Sequence, residues 1–167
     1  RFDSPSVFAR LLDQEKGGTW RFLPSGKVQQ GQMRYVRNTN VLVTRFEDET
    51  GAWDLFDFMP RIPDGLRHKT PYRFVRLLRP VRGRPRVKME FDPRPDYGRE
   101  QPKLMQAENG LRFQGCGQPH MLTSNLPTDY ILNGNEFAVD LPRFFVLDYG
   151  IHSESQHIDE VNRDLDL

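Results

Sequence analysis

An uninterrupted alternation of charged and apolar residues occupies positions 86–92, which read Arg86-Val87-Lys88-Met89-Glu90-Phe91-Asp92. Successive side chains of a β-strand point to opposite faces, so the three apolar residues of this stretch share one face. The four charged residues share the other. The stretch therefore predicts a strand in a sheet that has one face in a core and the other in solvent.

Further short runs rich in β-branched or aromatic residues are separated by Gly, Pro, Asn and Asp, which is typical of strands joined by tight turns. Asn109-Gly110 and Asn133-Gly134 are dipeptides that two-residue hairpin turns favour, since both central positions need a positive φ. Together the runs predict strands at 20–23, 32–37, 41–47, 53–59, 74–81, 86–91, 103–108, 111–114, 120–123, 136–140 and 144–149.

The fold class that these patterns predict is an all-β, antiparallel β-sandwich over residues 1–150. Strands and helices do not alternate along the chain, which argues against a doubly wound parallel sheet. One run differs from the others, because Phe74-Val75-Arg76-Leu77-Leu78 carries apolar residues on both strand faces. We therefore expect a further layer or a partner domain to cover one sheet.

Both ends of the chain predict something other than strand. Residues 4–13 resemble a short N-terminal helix, because Ser4 can cap it, Pro5 suits its first position and apolar residues recur at helical spacing. Residues 151–167 are acidic and lack aromatic side chains, so we expect a linker, helical in part, that leads to an absent catalytic domain. The chain opens on Arg1 and reads as a piece of a longer protein.

The chain has 167 residues, the size of one domain, and its 12 Phe, 5 Tyr and 2 Trp are the bulky groups that disordered proteins lack. Its net charge is +1, yet residues 1–100 hold 20 Lys and Arg against 13 Asp and Glu. The basic residues alternate with apolar ones, so we expect solvated strand faces, with polyanion binding as a minor alternative and no nucleic-acid partner. No stretch approaches the roughly 18 uninterrupted apolar residues that a membrane span requires, so we expect no membrane partner. We expect a cytoplasmic location, since the single Cys116 cannot form an internal disulfide.

No motif indicates catalysis within this chain, and we expect no catalytic residue, no metal and no cofactor. The histidines His68, His120, His152 and His157 lack paired zinc-ligand spacing, and no phosphate-binding glycine motif occurs. Asp54 and Asp57 differ by an odd number of positions, so on a regular strand they face opposite sides and cannot flank one glycosidic bond.

Aromatic residues offer an alternative function, that of a carbohydrate-binding module. Sugar rings pack an apolar face on exposed aromatic side chains while their hydroxyls bond to polar groups around them. Trp20, Trp53, Tyr35 and Tyr97 are the candidates for such contacts. Aromatic residues within strands usually belong to the core, which is the competing interpretation of the same four residues.

Four blocks in order resemble one known family: Arg1-Phe2-Asp3-Ser4-Pro5-Ser6-Val7-Phe8 with Gly17-Gly18-x-Trp20, Thr39-Asn40-Val41-Leu42-x-Thr44, Asp57-Phe58-Met59-Pro60, and Asp96-Tyr97-Gly98-Arg99. They are similar to the N-terminal domain of bacterial glycoside hydrolase family 15 proteins, the glucoamylase and trehalase-like group. The resemblance implies a large β-sandwich, a supersandwich, joined to an (α/α)6 barrel that holds the catalytic glutamates and hydrolyses α-glucosidic bonds with inversion.

The resemblance also implies where this chain would meet its surroundings. We expect Arg1, Asp3 and Ser4 near the junction with the barrel, and Asp96 and Tyr97 at that junction or near substrate. The implied partners are the barrel of the same chain and an α-glucan or trehalose. Family members have an earlier segment that would supply one more strand, and a sheet edge left open in its absence could pair two copies as a homodimer.

Overall fold

A computed structural model describes residues 4–27, 29–64 and 66–150. Arg1, Asp3 and the expected linker at 151–167 lie outside the described residues. The two short helices are α1 (Pro95–Gly98) and α2 (Thr128–Leu132). The strands are β1 (Thr19–Pro24), β2 (Gln29–Tyr35), β3 (Leu42–Asp48), β4 (Gly51–Phe58), β5 (Ile62–Asp64), β6 (Arg67–Lys69), β7 (Arg73–Gly83), β8 (Arg86–Asp92), β9 (Met105–Ala107), β10 (Gly110–Gly115), β11 (Gln118–Ser124), β12 (Glu136–Ala138) and β13 (Arg143–Tyr149).

The strands form two antiparallel sheets that face each other, which confirms the predicted all-β sandwich. The larger sheet has the order β2-β3-β4-β7-β13-β11-β10-β9, and the smaller sheet has the order β1-β8-β12. Strands β5 and β6 form a separate two-stranded hairpin that the sequence pattern did not predict. Strand β8, the alternating stretch at 86–92, lies between β1 and β12, where its apolar face meets the larger sheet.

The core between the sheets consists largely of aromatic rings. Phe22 of the smaller sheet packs on Phe145 of the larger sheet, with ring centroids 5.0 Å apart, and Phe91 meets Phe113 edge to face at 5.9 Å. Burying each such ring stabilises the folded state by about 1.5–3 kcal/mol. These contacts between facing sheets require no metal or disulfide to hold them.

An arginine in the larger sheet also connects the two sheets. Arg76 donates through Nε and Nη2 to the carboxylate of Asp57, at 2.9 and 3.2 Å, and through Nη1 to the carbonyl oxygen of Trp20 at 2.5 Å. Its guanidinium also lies over the rings of Trp20 and Phe22. A planar, forked donor suits this combination of bidentate and stacking contacts.

The predicted N-terminal helix is wrong, because residues 4–18 form a series of turns. The carbonyl oxygens of Val7 and Ser6 accept hydrogen bonds from the backbone N–H groups of Arg94 and Tyr97, at 2.9 and 3.2 Å, so they do not form the bonds to residues four positions later that a helix requires. Leu11 and Leu12, which the helix would have buried, are 98% and 77% exposed. The apolar spacing therefore had no surface to pack against.

Candidate functional site

Three segments that are distant in sequence meet at one end of the sandwich. The segment that begins at Ser4 is held by backbone bonds from Arg94 N–H to the carbonyl of Val7, at 2.9 Å, and from Tyr97 N–H to that of Ser6, at 3.2 Å. The β10–β11 turn joins them through the Cys116 N–H, which donates to the Glu100 carboxylate at 2.9 Å. The chain thus brings residues 4–8, 94–100 and 115–117 together.

Of the five residues predicted for the site, the structure places three at this end of the molecule. Ser4 is exposed, and Asp96 and Tyr97 form α1, where their φ angles of 50° and 55° give a left-handed turn instead of a regular helix. Asp96 accepts a hydrogen bond from Arg99 at 3.2 Å, and the Tyr97 ring is half exposed. Arg1 and Asp3 lie outside the described residues.

A cleft of about 710 Å³ opens at this end, and we refer to it as the end cleft. Its walls come from the N-terminal segment, the start of β7, the β10–β11 turn and the end of β13. They include three aromatic side chains, Phe8, Tyr72 and Tyr149, together with the polar side chains of Ser4, Gln118 and His120. Asp96 and Tyr97 do not line it, so the structure divides the predicted site residues between the cleft and the neighbouring loop.

His120 is the buried polar group of the end cleft, with 5% of its surface exposed. Its Nε2 lies 3.0 Å from the carbonyl oxygen of Gly115, and since a carbonyl only accepts, Nε2 carries the proton and Nδ1 is an acceptor. Nδ1 is buried and has no hydrogen-bond partner among the described residues. Burial lowers the pKa of His120 from 6.5, so the imidazole is neutral at pH 7.

Tyr149 closes the cleft beside His120, and the two rings meet edge to face at 5.2 Å. Burial, with the charge of Asp148 as a further cause, raises the pKa of Tyr149 to about 12, so the phenol keeps its proton. The described residues that line the end cleft include no Lys, Arg, Asp or Glu. The walls that the described residues form are therefore an uncharged surface that includes aromatic rings, hydroxyls and one amide.

The buried carboxylates of the described chain are all bonded within the fold. Asp54 forms a two-pronged ion pair with Arg45, Asp148 pairs with Arg73 at 2.8 Å, and Asp48 accepts bonds from the backbone N–H groups of Thr50 and Gly51. Asp54 and Asp57 contact different arginines on opposite faces of β4, as their odd spacing predicts. Within the described ranges, no three of His, Cys, Asp and Glu come together as a metal site would require.

The family model described as the trehalase-like N-terminal domain matches residues 1–136. This chain belongs to that family. Among curated proteins, a trehalase of Thermoplasma acidophilum is 27% identical over 161 residues, which is 90% of this chain and 27% of the relative. Trehalase 1 of Sulfolobus acidocaldarius is 31% identical over 134 residues, or 78% of this chain and 22% of the relative, and trehalase 2 of that organism is 42% identical over 60 residues, 36% and 10%.

The trehalase-like domain therefore spans about a quarter of the length of the first two of these relatives. All three come from archaea, whereas the sequence resemblance pointed to a bacterial group. No solved structure gives a significant match. No helix among the described residues is long and apolar enough to span a membrane.

The aromatic residues of the trehalase-like domain separate into core and surface. Trp53 is 1% exposed and stacks on Phe46 at 4.3 Å, and Trp20 is 9% exposed between the sheets, so both tryptophans belong to the core. Tyr35 and Tyr97 are exposed, but neither lines the end cleft. Of the four aromatic residues considered for sugar contact, the core interpretation is right for the two tryptophans.

The basic excess of the trehalase-like domain is matched by acidic partners on neighbouring strands. On the outer face of the smaller sheet, Arg21 pairs with Glu90 at 2.7 Å and Arg86 pairs with Glu136 at 3.3 Å. These partly exposed ion pairs contribute little to stability, because water screens their charges. They account for the charged stretch as a solvated sheet face.

The outer face of the larger sheet is different. Val75 and Val146 are each 1% exposed there and pack with the half-buried Phe58 and Phe144. The strict alternation of β8 is missing from β13, where four consecutive residues, 145–148, are buried. This confirms that the run at 74–78 has apolar contacts on both faces of the sheet.

The residues that define the end cleft were not singled out from the sequence as a group. His120 was considered for zinc spacing alone, and Tyr72 and Gln118 have no motif around them. One signal was available, because alternation along β11 places His120 on the same face as the core residue Leu122. The ring nitrogens of a histidine on an apolar face need hydrogen-bond partners, either within the protein or from a bound molecule.

Proposed function

We propose that this chain is the non-catalytic N-terminal domain of a trehalase-like glycoside hydrolase. The proposal includes a catalytic (α/α)6 barrel in the same polypeptide, which hydrolyses trehalose or another α-glucoside as in the family 15 enzymes that the sequence resembles. The observation that carries it is the match to a trehalase over 90% of this chain but only 27% of the relative, which leaves most of that length for other domains. The unpaired Cys116 supports a cytoplasmic location.

The bonding of the carboxylates supports a non-catalytic role. Glycoside hydrolysis needs two carboxyl groups about 5–10 Å apart with room for the sugar between them. The neighbouring carboxylates of β4, Asp54 and Asp57, lie on opposite faces, and each is neutralised by an arginine. The buried Asp48 and Asp148 are likewise engaged within the fold. These four carboxylates are therefore poor candidates for the acid and the base that such a reaction requires.

The larger sheet is the surface that we assign to the contact with the barrel. Its outer face buries Val75 and Val146 beneath Phe58 and Phe144, beside ion pairs such as that between Arg45 and Asp54. On the outer face of the smaller sheet, paired charges such as Arg21 and Glu90 predominate. Apolar side chains on a sheet face suit contact with another domain, and charged ones suit water. The occupant that we propose is the barrel, because the relatives contain several times the length of this chain.

Sugar hydrolysis by the chain alone tests the proposal. The chain is incubated with trehalose, maltose and malto-oligosaccharides, and released glucose is measured, with the longer protein as the positive control. We expect release by the longer protein only. In the longer protein, Asp54→Asn and Asp57→Asn should lower stability and leave kcat of the folded enzyme within about tenfold, since loss of an acid or base costs about 10²–10⁴-fold.

Two results would contradict this function. One is turnover by the chain alone that survives purification and disappears in either Asp→Asn variant. The other is a loss of kcat of about 100-fold or more when either Asp→Asn substitution is made in the longer protein, provided that circular dichroism and thermal unfolding of the variant match those of the parent protein. Arg21→Gln, on the solvated face of the smaller sheet, is the control for the effect of removing an exposed ion pair.

A further inference from the structure

The end cleft has the size and shape of a small-molecule site. Its volume of about 710 Å³ lies within the range of roughly 300–1,000 Å³ that is usual for ligand pockets. Three strands of the larger sheet and the N-terminal segment contribute to it, so its walls are held by the backbone bonds of the sandwich. Backbone bonds from Arg94 and Tyr97 hold the lining residues Val7 and Ser6 of the N-terminal segment in place.

The charges around the cleft restrict the class of ligand. The described residues that line it include no cationic side chain that would pair with a phosphate or carboxylate, and no carboxylate that would pair with an amine. The carboxylate of Glu100 already accepts a hydrogen bond from the backbone N–H of the lining residue Cys116. Burying an unpaired charge is costly, so an uncharged ligand fits best.

The side chains that line the cleft restrict the class of ligand further. The rings of Phe8, Tyr72 and Tyr149 offer apolar surface, while Ser4 and Gln118 offer hydroxyl and amide groups. A pyranose ring combines an apolar face of C–H groups with a rim of hydroxyls, and it matches walls that combine aromatic surface with neutral polar groups. A purely apolar ligand would leave the polar groups without partners.

The orphan acceptor of His120 supplies a second, independent observation. The ring lines the cleft, its Nε2 proton is committed to Gly115, and its Nδ1 lone pair has no partner among the described residues. A buried acceptor without a donor destabilises the free protein, and a hydroxyl that reaches Nδ1 as neighbouring side chains shift would remove that cost. Sugars carry such hydroxyls at almost every ring carbon.

We propose that the end cleft binds an uncharged sugar of one or two pyranose rings, with Tyr72 as the aromatic surface under the ring and Nδ1 of His120 as an acceptor for a sugar hydroxyl. All of the residues named here belong to the described part of this chain. It involves no bond making or breaking. It does not depend on whether the longer protein hydrolyses sugar, so the two proposals can fail separately.

Titration of the 167-residue chain by calorimetry, with ligand-observed NMR as a second readout, tests the site. The probes are glucose, maltose and trehalose, and glucose 6-phosphate is the charged counterpart of the same ring. We expect a dissociation constant on the order of 1 mM for at least one neutral sugar. The phosphorylated sugar should bind at least about tenfold more weakly, because its charge finds no partner.

A pair of tyrosine variants locates the binding. Tyr72 in the cleft and Tyr35 on β2 are both exposed, at 55% and 67%, so neither replacement should disturb the core. Tyr72→Ala should weaken sugar binding about three- to tenfold, the value of one aromatic contact, while Tyr35→Ala should leave it unchanged. His120→Gln should weaken it as well, and if that variant does not fold, the tyrosine pair still decides.

Three outcomes would overturn the inference. The first is the absence of heat and of NMR line broadening at sugar concentrations of about 50 mM. The second is binding that Tyr72→Ala and Tyr35→Ala leave equally unchanged. The third is equal binding of glucose and glucose 6-phosphate, which would mean that the uncharged walls of the cleft do not select the ligand.

Discussion

At the scale of single residues, His120 couples the fold to pH. Its pKa lies below 6.5 because burial disfavours the imidazolium, and its Nε2 proton is bonded to the Gly115 carbonyl. Between the folded-state pKa and about 6.5, the unfolded chain binds more protons at this position than the folded chain does. The free energy of unfolding therefore rises with pH across that window and falls as pH drops through it.

We expect urea unfolding to show this loss as pH falls below about 6.5, at up to about 1.4 kcal/mol for each pH unit. His120→Gln should flatten the pH dependence in that window, because glutamine does not titrate. His68→Gln, at an exposed position on β6, is the control for replacing a histidine by glutamine. A slope that survives in His120→Gln would mean that another group titrates on unfolding.

Arg76 illustrates at the same scale why a residue that looks charged and exposed in the sequence can belong to the interior. It lies in the run at 74–78 between two apolar neighbours, and only its reach across to Trp20 and Asp57 accounts for it. The position on the strand face was predictable from alternation. The contact with Trp20 was not predictable, because Trp20 belongs to the other sheet and lies 56 residues away in the chain.

At the scale of elements, the β7–β8 turn depends on a glycine that another turn touches. Gly83 has a φ of 67°, and a Cβ there would lie 2.2 Å from the carbonyl oxygen of Thr50 in the β3–β4 turn. Gly117 in the β10–β11 turn has a φ of 71° and no atom within 4 Å of such a Cβ. The two glycines share a conformation and differ in their surroundings.

Alanine at these two positions separates backbone strain from steric conflict. Gly117→Ala should cost about 1–2 kcal/mol, the penalty of a left-handed residue with a side chain. Gly83→Ala should cost roughly 1–3 kcal/mol more, because the backbone of the neighbouring turn must move. Denaturant unfolding of both variants measures the difference, and equal losses would mean that the two turns do not press on each other.

Apart from β5 and β6, the strands were predictable from the sequence because each has a local signal, and β8 shows the clearest one. Segments whose backbone bonds come from distant residues were not. Arg94 and Tyr97 engage carbonyl oxygens of the helix that the apolar spacing favours, and the left-handed turn at Asp96 and Tyr97 has no signal beyond Gly98. The end cleft was out of reach for a related reason, since it assembles from segments centred on Ser6, Tyr72 and His120.

At the scale of the whole molecule, the two outer faces of the sandwich are unlike. On the smaller sheet, Arg21 and Glu90 pair across strands in contact with water. On the larger sheet, Phe58 and Phe144 cover a pair of buried valines. The apolar cluster at Val75 and Val146 is the part of the two outer faces that best suits contact with a second domain.

The asymmetry yields a comparison between two contexts, the chain alone and the longer protein. Phe58 on the larger sheet and Leu23 on the smaller sheet are both half-buried apolar residues on outer faces, so Phe58→Ser and Leu23→Ser form a matched pair. In the chain alone, each should lower the free energy of unfolding by about 1–2 kcal/mol, because part of an apolar side chain is lost. In the longer protein, Phe58→Ser should cost at least about 1 kcal/mol more than it does in the chain alone, since its remaining surface would be buried against the barrel.

The difference between contexts matters more than either loss, because contacts within the sandwich are the same in both and cancel. Leu23→Ser should show no such difference. Thermal unfolding of the four variants and of their two parent proteins gives these costs. Limited proteolysis should release the domain first from the longer protein that carries Phe58→Ser. An equal cost of Phe58→Ser in both contexts would exclude this face from the contact and leave the buried valines as a feature of the sandwich itself.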